Sequence, residues 1–303
     1  VTALFDVPVP AVLTAELVGQ FQPGSPEWHA ARENALGGSE AAAMLGLSKW
    51  ESPYSLWHRK AGLIGPVEQT DAMRWGNRFE DDIAEEFQEQ HPDLYVAAAG
   101  TYRNTQRPWQ IANPDRLFAD REGIWRGLEI KTALRADDWG TSGSDEIPIY
   151  YRTQVMHYMD TLGIEEFILA VLFLSSWSYR EYRITYDARD AQVMRDAGIA
   201  FMDSLVTGVP PDLDDHEETY KTVMALAEGR SGEKVEIPAS LAVAYNGACA
   251  KYTEAVSEKR FASSRVLAAI GTGKQATCNG LAIATRAVKA DGTTHALQPA
   301  KGI

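Results

Sequence analysis

The 303-residue sequence has only two cysteines, Cys249 and Cys278, too few for a disulfide framework or for a cluster that needs four thiolates. Its six histidines, at 29, 58, 91, 157, 216 and 295, show no zinc-ligand spacing, which leaves a hard cation on carboxylates as the expected kind of metal. It contains no apolar run of the roughly eighteen residues that a membrane-spanning helix needs. The opening stretch, VTALFDVPVPAVLTAEL, lacks the basic start and unbroken apolar core of a signal peptide, so the expected location is the cytoplasm. Positive charge is scarce as well: 29 Lys and Arg against 42 Asp and Glu leave a net charge of −13, which argues against coating nucleic acid through the whole surface. The GTGK at 271–274 is not a phosphate loop, because Gln275 stands where Ser or Thr is needed. Internal repeats and low-complexity tracts are missing too.

What the chain does have is segregated charge. Acid concentrates in FEDDIAEEFQEQ and PDLDDHEETY, whereas residues 102–135 carry Arg103, Arg107, Arg116, Arg121, Arg126, Lys131 and Arg135. Helix signals open the chain: Ser25 and Pro26 start SPEWHAAREN, Ser39 precedes an alanine-rich turn as an N-cap, and SPYSLWHRKAGLI follows. In AMRWGNRFEDDIAEEFQEQ, Trp75, Phe79, Ile83 and Phe87 recur every fourth position, an amphipathic stripe. At about 100° per residue, Glu80 falls within the sector of that stripe. Glu86 falls there too, and periodicity does not choose between them. Short β segments follow (LYVAAAGTYR, WQIAN, RLFAD, IWRGLEIKTA), then the helix PIYYRTQVMHYMDTLG, a buried strand FILAVLFL and an alternating YREYRITYD. Two more helices, a long one from Pro238 to about Ile270 and a small terminal hairpin complete the reading.

The stretch GLEIKTA carries an acid and a base one residue apart. Strand side chains alternate faces, so Glu129 and Lys131 share one face and Leu128 and Ile130 the other. An exposed strand with a surface ion pair, contributing about 0–1 kcal/mol, is the plain explanation. The order helix, strand meander, helix, strand offers another: Glu80, Asp115, Glu129, Lys131 and Gln154 can meet at one edge of a small sheet. Carboxylates crowded in that way repel unless a cation sits among them, and magnesium suits an all-oxygen set that includes the backbone carbonyl of Ile130. Lys131 would then hold a water or offset charge on the reacting phosphate.

NPD followed by EIK resembles the PD-(D/E)xK nuclease superfamily. Together with WHAARENALGGSEAAAMLGLSKWESPYSLWHRKAGL, RWGNRFEDDIAEEF and YYRTQVMHYMDTLG, the chain is similar to the YqaJ-type viral recombinases and the lambda exonuclease family over roughly residues 25–220. The resemblance implies an α/β (α+β) fold with a central mixed sheet flanked by helices, an N-terminal extension over 1–24 and a helical extension over 221–303. It implies a magnesium-dependent exonuclease, with manganese able to substitute, that resects one strand of linear double-stranded DNA from its 5′ end and hands a 3′ single strand to an annealing protein. Asp115 and Glu129 would be metal ligands, Lys131 the catalytic lysine, Glu80 the helical acid near a second metal and Gln154 the glutamine of the following motif. Arg32 and Ser39 would handle the 5′-terminal phosphate. The resemblance and the basic middle segment also imply a homo-oligomeric ring around DNA. Arg116 departs from the family, which often has Gly there; contact with DNA and mere tolerance of the turn both remain open. Trp28, Trp57 and Trp75 read as core residues, and His157 and Tyr158 as structural ones. An inactive DNA-binding module and a site-specific endonuclease are the alternatives, although no groove-reading element is evident.

Overall fold

The centre of the fold follows from alternation along Trp125–Ala133. Leu128 and Ile130 pack on one side with Phe118, Ile168 and Ala170, while Glu129 turns to the other side and is 1% exposed. This computed structural model describes residues 14–22, 24–227, 229 and 231–300, so residues 1–13 and 23 of the expected N-terminal extension lie outside it. In chain order the elements are β1 (Ala15–Gly19), α1 (Pro26–Arg32), β2 (Leu36–Gly37), α2 (Gly38–Met44), α3 (Pro53–Lys60), α4 (Asp71–Gln90), β3 (Tyr95–Ala98), β4 (Thr101–Asn104), β5 (Gln110–Ala112), β6 (Arg116–Ala119), β7 (Trp125–Ala133), α5 (Ile149–Leu162), β8 (Glu166–Phe173), β9 (Ser178–Thr185), α6 (Ala188–Thr207) and α7 (Glu217–Leu226). A second compact unit begins after Gly229. It holds α8 (Ala239–Ile270), β10 (Gln275–Cys278), β11 (Leu281–Val288) and β12 (Thr294–Pro299).

The main sheet has the order β3-β6-β7-β8-β9. Among the described residues β7 pairs parallel with β8, and the other neighbours are antiparallel. β8 is buried on both faces: Ile168 and Ala170 meet α4, whereas Phe167, Leu169 and Val171 meet the side occupied by α5. The lower half of the α4 stripe behaves as its period predicts, with Ile83 at 3% and Phe87 at 0% exposure. Its upper end does not. Trp75 is 47% exposed and stacks on Phe79. Among the other two expected core tryptophans, Trp57 is buried and Trp28 half-buried.

LYVAAAGTYR, expected as one segment, is divided between sheets: β3 joins the main sheet and β4 a second sheet of order β1-β4-β5-β2. Gly100 lies between the two strands. Strand β1 had no counterpart in the sequence reading; it pairs antiparallel with β4. The expected terminal hairpin is instead a three-stranded antiparallel sheet, β10-β11-β12, since Gln275–Cys278 also pairs with the central β11. Helix α8 has no buried residue.

Helix α5 is the inner helix of the first unit. Every residue from Thr153 to Leu162 is buried, which explains why its sequence shows so little amphipathic contrast. Close approach to α2 depends on Gly38, where a Cβ would stand 2.9 Å from the carbonyl oxygen of Gln154 and closer still to the Tyr158 ring. A buried histidine of α5 ties two strands of the second sheet together. Nε2 of His157 lies 3.1 Å from the carbonyl oxygens of Leu36 on β2 and of Ile111 on β5, so one ring N–H serves two acceptors. Burial lowers this histidine to a pKa of about 4 despite those carbonyls, in agreement with the structural role expected for it. Because the unfolded chain binds this proton more tightly, stability present above pH ~6.5 should fall as the pH drops toward 4, by on the order of 3 kcal/mol from this group. Denaturant titrations between pH 7 and 4 should show that slope, and His157→Gln should flatten it; an unchanged slope would remove His157 from the account.

Candidate active site

The edge of β7 is open where the site forms. β6 pairs with β7 only up to Arg116 opposite Leu128, because Pro114 has no N–H to continue a ladder and the chain there crosses from the second sheet to the first. Asp115 sits on that crossing. Its Oδ2 accepts the N–H of Ile130 at 2.7 Å, taking the place of a strand partner. A residue whose N–H faces the open edge presents its carbonyl the same way, so the Ile130 carbonyl faces the Asp115 side.

Opposite, Glu129 Oε1 accepts Lys131 Nζ at 2.6 Å and Gln154 Nε2 at 2.5 Å. Gln154 also donates to the Tyr158 hydroxyl at 3.1 Å, which gives that core tyrosine a second duty. Lys131 Nζ lies 5.5 Å from the centre of the Tyr151 ring, within cation–π range. The other oxygen of Glu129, Oε2, is buried and has no hydrogen-bond partner. Burial, with the charge of Glu129 beside it, pushes the Asp115 carboxyl well above the ordinary carboxylate range. Burial raises Glu129 as well, against the pull of Lys131. For Lys131 burial would lower the pKa, but Glu129 and Asp115 outweigh it and hold the ammonium form. The surface ion pair of the plain reading is thus excluded: one partner is inside the sheet.

Of the two acids that periodicity left open on α4, Glu80 is the one that faces the cluster, and its charge adds to the rise of both Asp115 and Glu129. Glu86 is exposed and accepts a bond from Gln90. Glu80 is not free, however. Arg116 Nη1 donates to Glu80 Oε1 at 2.8 Å and to the Asp115 carbonyl at 2.6 Å, and its Nη2 to Asp81 Oδ1 at 2.5 Å. Among the described residues no group of three or more Asp, Glu, His or Cys could hold a metal ion. The expected three-acid set is therefore two acids with a backbone carbonyl, and a third acid already engaged by a guanidinium.

The residues expected at the 5′ phosphate also come together. Arg32 is the last residue of α1, and its Nη2 stands 3.4 Å from Ser39 Oγ, its Nη1 3.1 Å from Asn113 Oδ1. The guanidinium lies 4.3 Å above the Trp28 ring. Ser39 is exposed and is not the N-cap, as the alanine-rich turn had suggested: Gly37 caps α2 and its N–H goes to Glu40 Oε2 at 2.9 Å. Glu40, Arg59, Lys60, Asn113 and Tyr151 were missed in the sequence. Glu40 is 5% exposed; Lys60 reaches it at 2.9 Å, Arg59 at 3.3 Å and Arg32 at 3.5 Å. Burial would raise this carboxyl, yet the three cations and the Gly37 N–H bring it down to about 2. An acid inside an alanine run was the available signal. Nothing local announced that Arg59 and Lys60, at the end of α3, would turn inward to meet it. A groove of 660 Å³ lined by Met44, Pro53, Phe201 and Val209 holds none of these residues.

Residues 27–165 match the YqaJ-like viral recombinase domain. The uncharacterized protein YqaJ of Bacillus subtilis strain 168 is 34% identical over 142 residues, 46% of this chain and 43% of that protein, so the chain spans less than half the length of that relative. Among solved structures, an alkaline exonuclease (LHK-Exo) from Laribacter hongkongensis is similar in fold, with a TM-score of 0.51 at 19% identity over 67% of this chain and 100% of that one. The complex of LHK-Exo with dAMP gives 0.52 at 18% identity, again over 67% and 100%. Arg32, Ser39, Glu80, Asp115, Glu129, Ile130, Lys131 and Gln154 all fall between 27 and 165, the region that is similar to the YqaJ-like viral recombinase domain.

Proposed function

We propose that this chain is a magnesium-dependent exonuclease of the PD-(D/E)xK kind, acting on linear double-stranded DNA from a 5′ end. The observation that carries this reading is the meeting of Asp115, Glu129 and Lys131 at an open strand edge, with a buried carboxylate oxygen that lacks a partner. Two crowded acids and a carbonyl fit a hard divalent cation: Asp115, Glu129 and the Ile130 carbonyl would hold it, and the unpartnered Oε2 of Glu129 is the atom it would satisfy. When bound, magnesium would supply Lewis acidity at the scissile phosphate and a more acidic water; manganese has the same ligand preference.

The chain's own groups do the rest. Lys131, held as an ammonium between Glu129 and Asp115, places a positive charge where the phosphate gains negative charge. Gln154 and Tyr158 fix Glu129 so that one oxygen faces Lys131 and the other stays open. Hydrolysis joins a water oxygen to phosphorus and breaks the bond to the 3′ oxygen, which leaves with a proton. Each turnover then releases a 5′-mononucleotide and exposes a new 5′-phosphate. Arg32 and Ser39 suit that group, since a guanidinium fork recognises a terminal phosphate by paired bonds. Asn113, bonded to Arg32, is two residues from Asp115, so the end-binding pair and the cleaving set share one short segment. The dAMP complex of LHK-Exo is consistent with a nucleotide product here. The 3′ strand left behind would pass to an annealing protein, and a ring of copies around DNA would keep successive ends in place.

Asp115→Asn, Glu129→Gln and Lys131→Ala should each lower the rate on linear duplex by roughly 100-fold or more, with doubles far from multiplicative. Closed circular plasmid should stay intact. Near-normal activity in any single variant, or nicking of the circle, would overturn the reading. Asp115→Asn should leave the metal-free melting temperature unchanged or higher, because it removes a charge that burial disfavours.

Initial rates on 5′-phosphate and 5′-hydroxyl duplexes should differ in favour of the phosphate, and Arg32→Ala should bring the ratio toward one. A ratio that Arg32→Ala does not move would dismiss this pocket. For the ring, a solution mass equal to one chain, or digestion that redistributes among substrates after a few nucleotides, would reject it.

A further inference from the structure

We propose that Arg116 acts as a built-in cation that takes Glu80 out of metal binding and limits the site to one divalent ion per chain. The inference rests on the metal-dependent reading above. Three carboxylates face the open edge of β7, but they are not equivalent. Asp115 and Glu129 retain oxygens with room for a ligand, and Glu129 Oε2 has no partner at all. Glu80 has one oxygen bound to a guanidinium. Arg116 Nη1 sits 2.8 Å from Glu80 Oε1 and 2.6 Å from the Asp115 carbonyl, while Nη2 holds Asp81. The guanidinium thus bridges the first residue of β6 to two successive acids on α4, with only 16% of the arginine side chain exposed.

The charges argue the same way. An arginine cannot release its proton to make way for an ion, and a second divalent ion beside it would meet a fixed positive charge in a partly buried setting, where screening is weak. Glu80 could ligate through its other oxygen only with the ion set beside the Arg116 guanidinium, or through Oε1 by giving up a charge-assisted bond while Arg116 remains partly buried. Arg116 is accordingly a positioning residue: it acts on the site through Glu80 and does not touch the reacting atoms. The same geometry answers what an arginine does immediately after Asp115. It neither merely tolerates the turn nor lies free for DNA; it closes the β6 edge against α4.

The test counts ions without measuring cleavage. Metal-free protein is titrated with Mn2+, and free and bound ion are separated by electron paramagnetic resonance of the aqueous ion. Wild type should bind one Mn2+ per chain. Glu80→Gln should also bind one, with little change in affinity, whereas loss of a true ligand or its close support would weaken binding ~10–100-fold or more. Arg116→Ala should bind two, Arg116→Ala with Glu80→Gln should return to one, and Arg116→Lys should stay at one by keeping the charge. Two ions in wild type, a large loss of affinity in Glu80→Gln, or a single ion in Arg116→Ala would each overturn the proposal. Asp115→Asn with Glu129→Gln separates the two readings. If that double variant still binds the ion, the metal site itself is misplaced; if it binds none while Arg116→Ala stays at one, only the role of Arg116 falls.

Discussion

A carboxylate placed inside a sheet is the constraint from which the site follows. Glu129 is 1% exposed, and an ion so buried costs several kcal/mol unless other groups replace its water. Lys131 from the same strand and Gln154 from α5 supply two such groups on one oxygen. The other oxygen receives nothing. A fold selected for stability alone would replace this arrangement with an apolar pair, since buried ion pairs seldom outweigh well-packed hydrocarbon. Its place in the middle of β7 therefore suits chemistry better than stability, and the unpartnered Oε2 suits the cation ligand proposed for it.

How much of this could be read beforehand depended on whether a residue's partners were local. Glu129 and Lys131 were legible because a period of two places them on one face whatever else the chain does. Asp115 was legible because the resemblance marked NPD. Gln154 lies on a helix with little amphipathic contrast, and only its motif marked it. Glu80 could be placed on the correct face, but its bond to Arg116 joins residues 36 positions apart and no period reports that. The division of LYVAAAGTYR between two sheets and the third strand of the terminal sheet were hidden for the same reason: strand propensity says that a segment is extended, not which neighbour it chooses.

The buried ionic networks make the point more strongly. Asp160 on α5 accepts bonds from Arg107, Gln110, Tyr186 and Arg195, groups that lie well apart from it in the sequence. Glu40 gathers Arg32, Arg59 and Lys60. A carboxylate among several cations is a discrete arrangement, because removing one partner strands the others, and it joins the ends of α1 and α3 to α2. Arg32 gains from it directly. A free arginine would lose rotamer entropy on meeting a ligand, whereas this one is already held by Asn113, Ser39 and the face of Trp28.

These constraints converge on one short piece of backbone. Asn113 orients Arg32, Pro114 ends the strand pairing, Asp115 caps the open edge of β7, and Arg116 anchors that edge to α4. Four consecutive residues thereby set the position of the arginine proposed to meet a DNA end, a candidate metal ligand and the charge that balances Glu80. A shift of this segment moves all three together. Pairing at β6 on one side and the bond from Asn113 Nδ2 to Thr101 Oγ1 at 2.5 Å on the other hold it in place. The separation between where a strand end would be gripped and where it would be cut is consequently a property of the sheet, not of flexible side chains, and that rigidity is what removal of a single nucleotide per step requires.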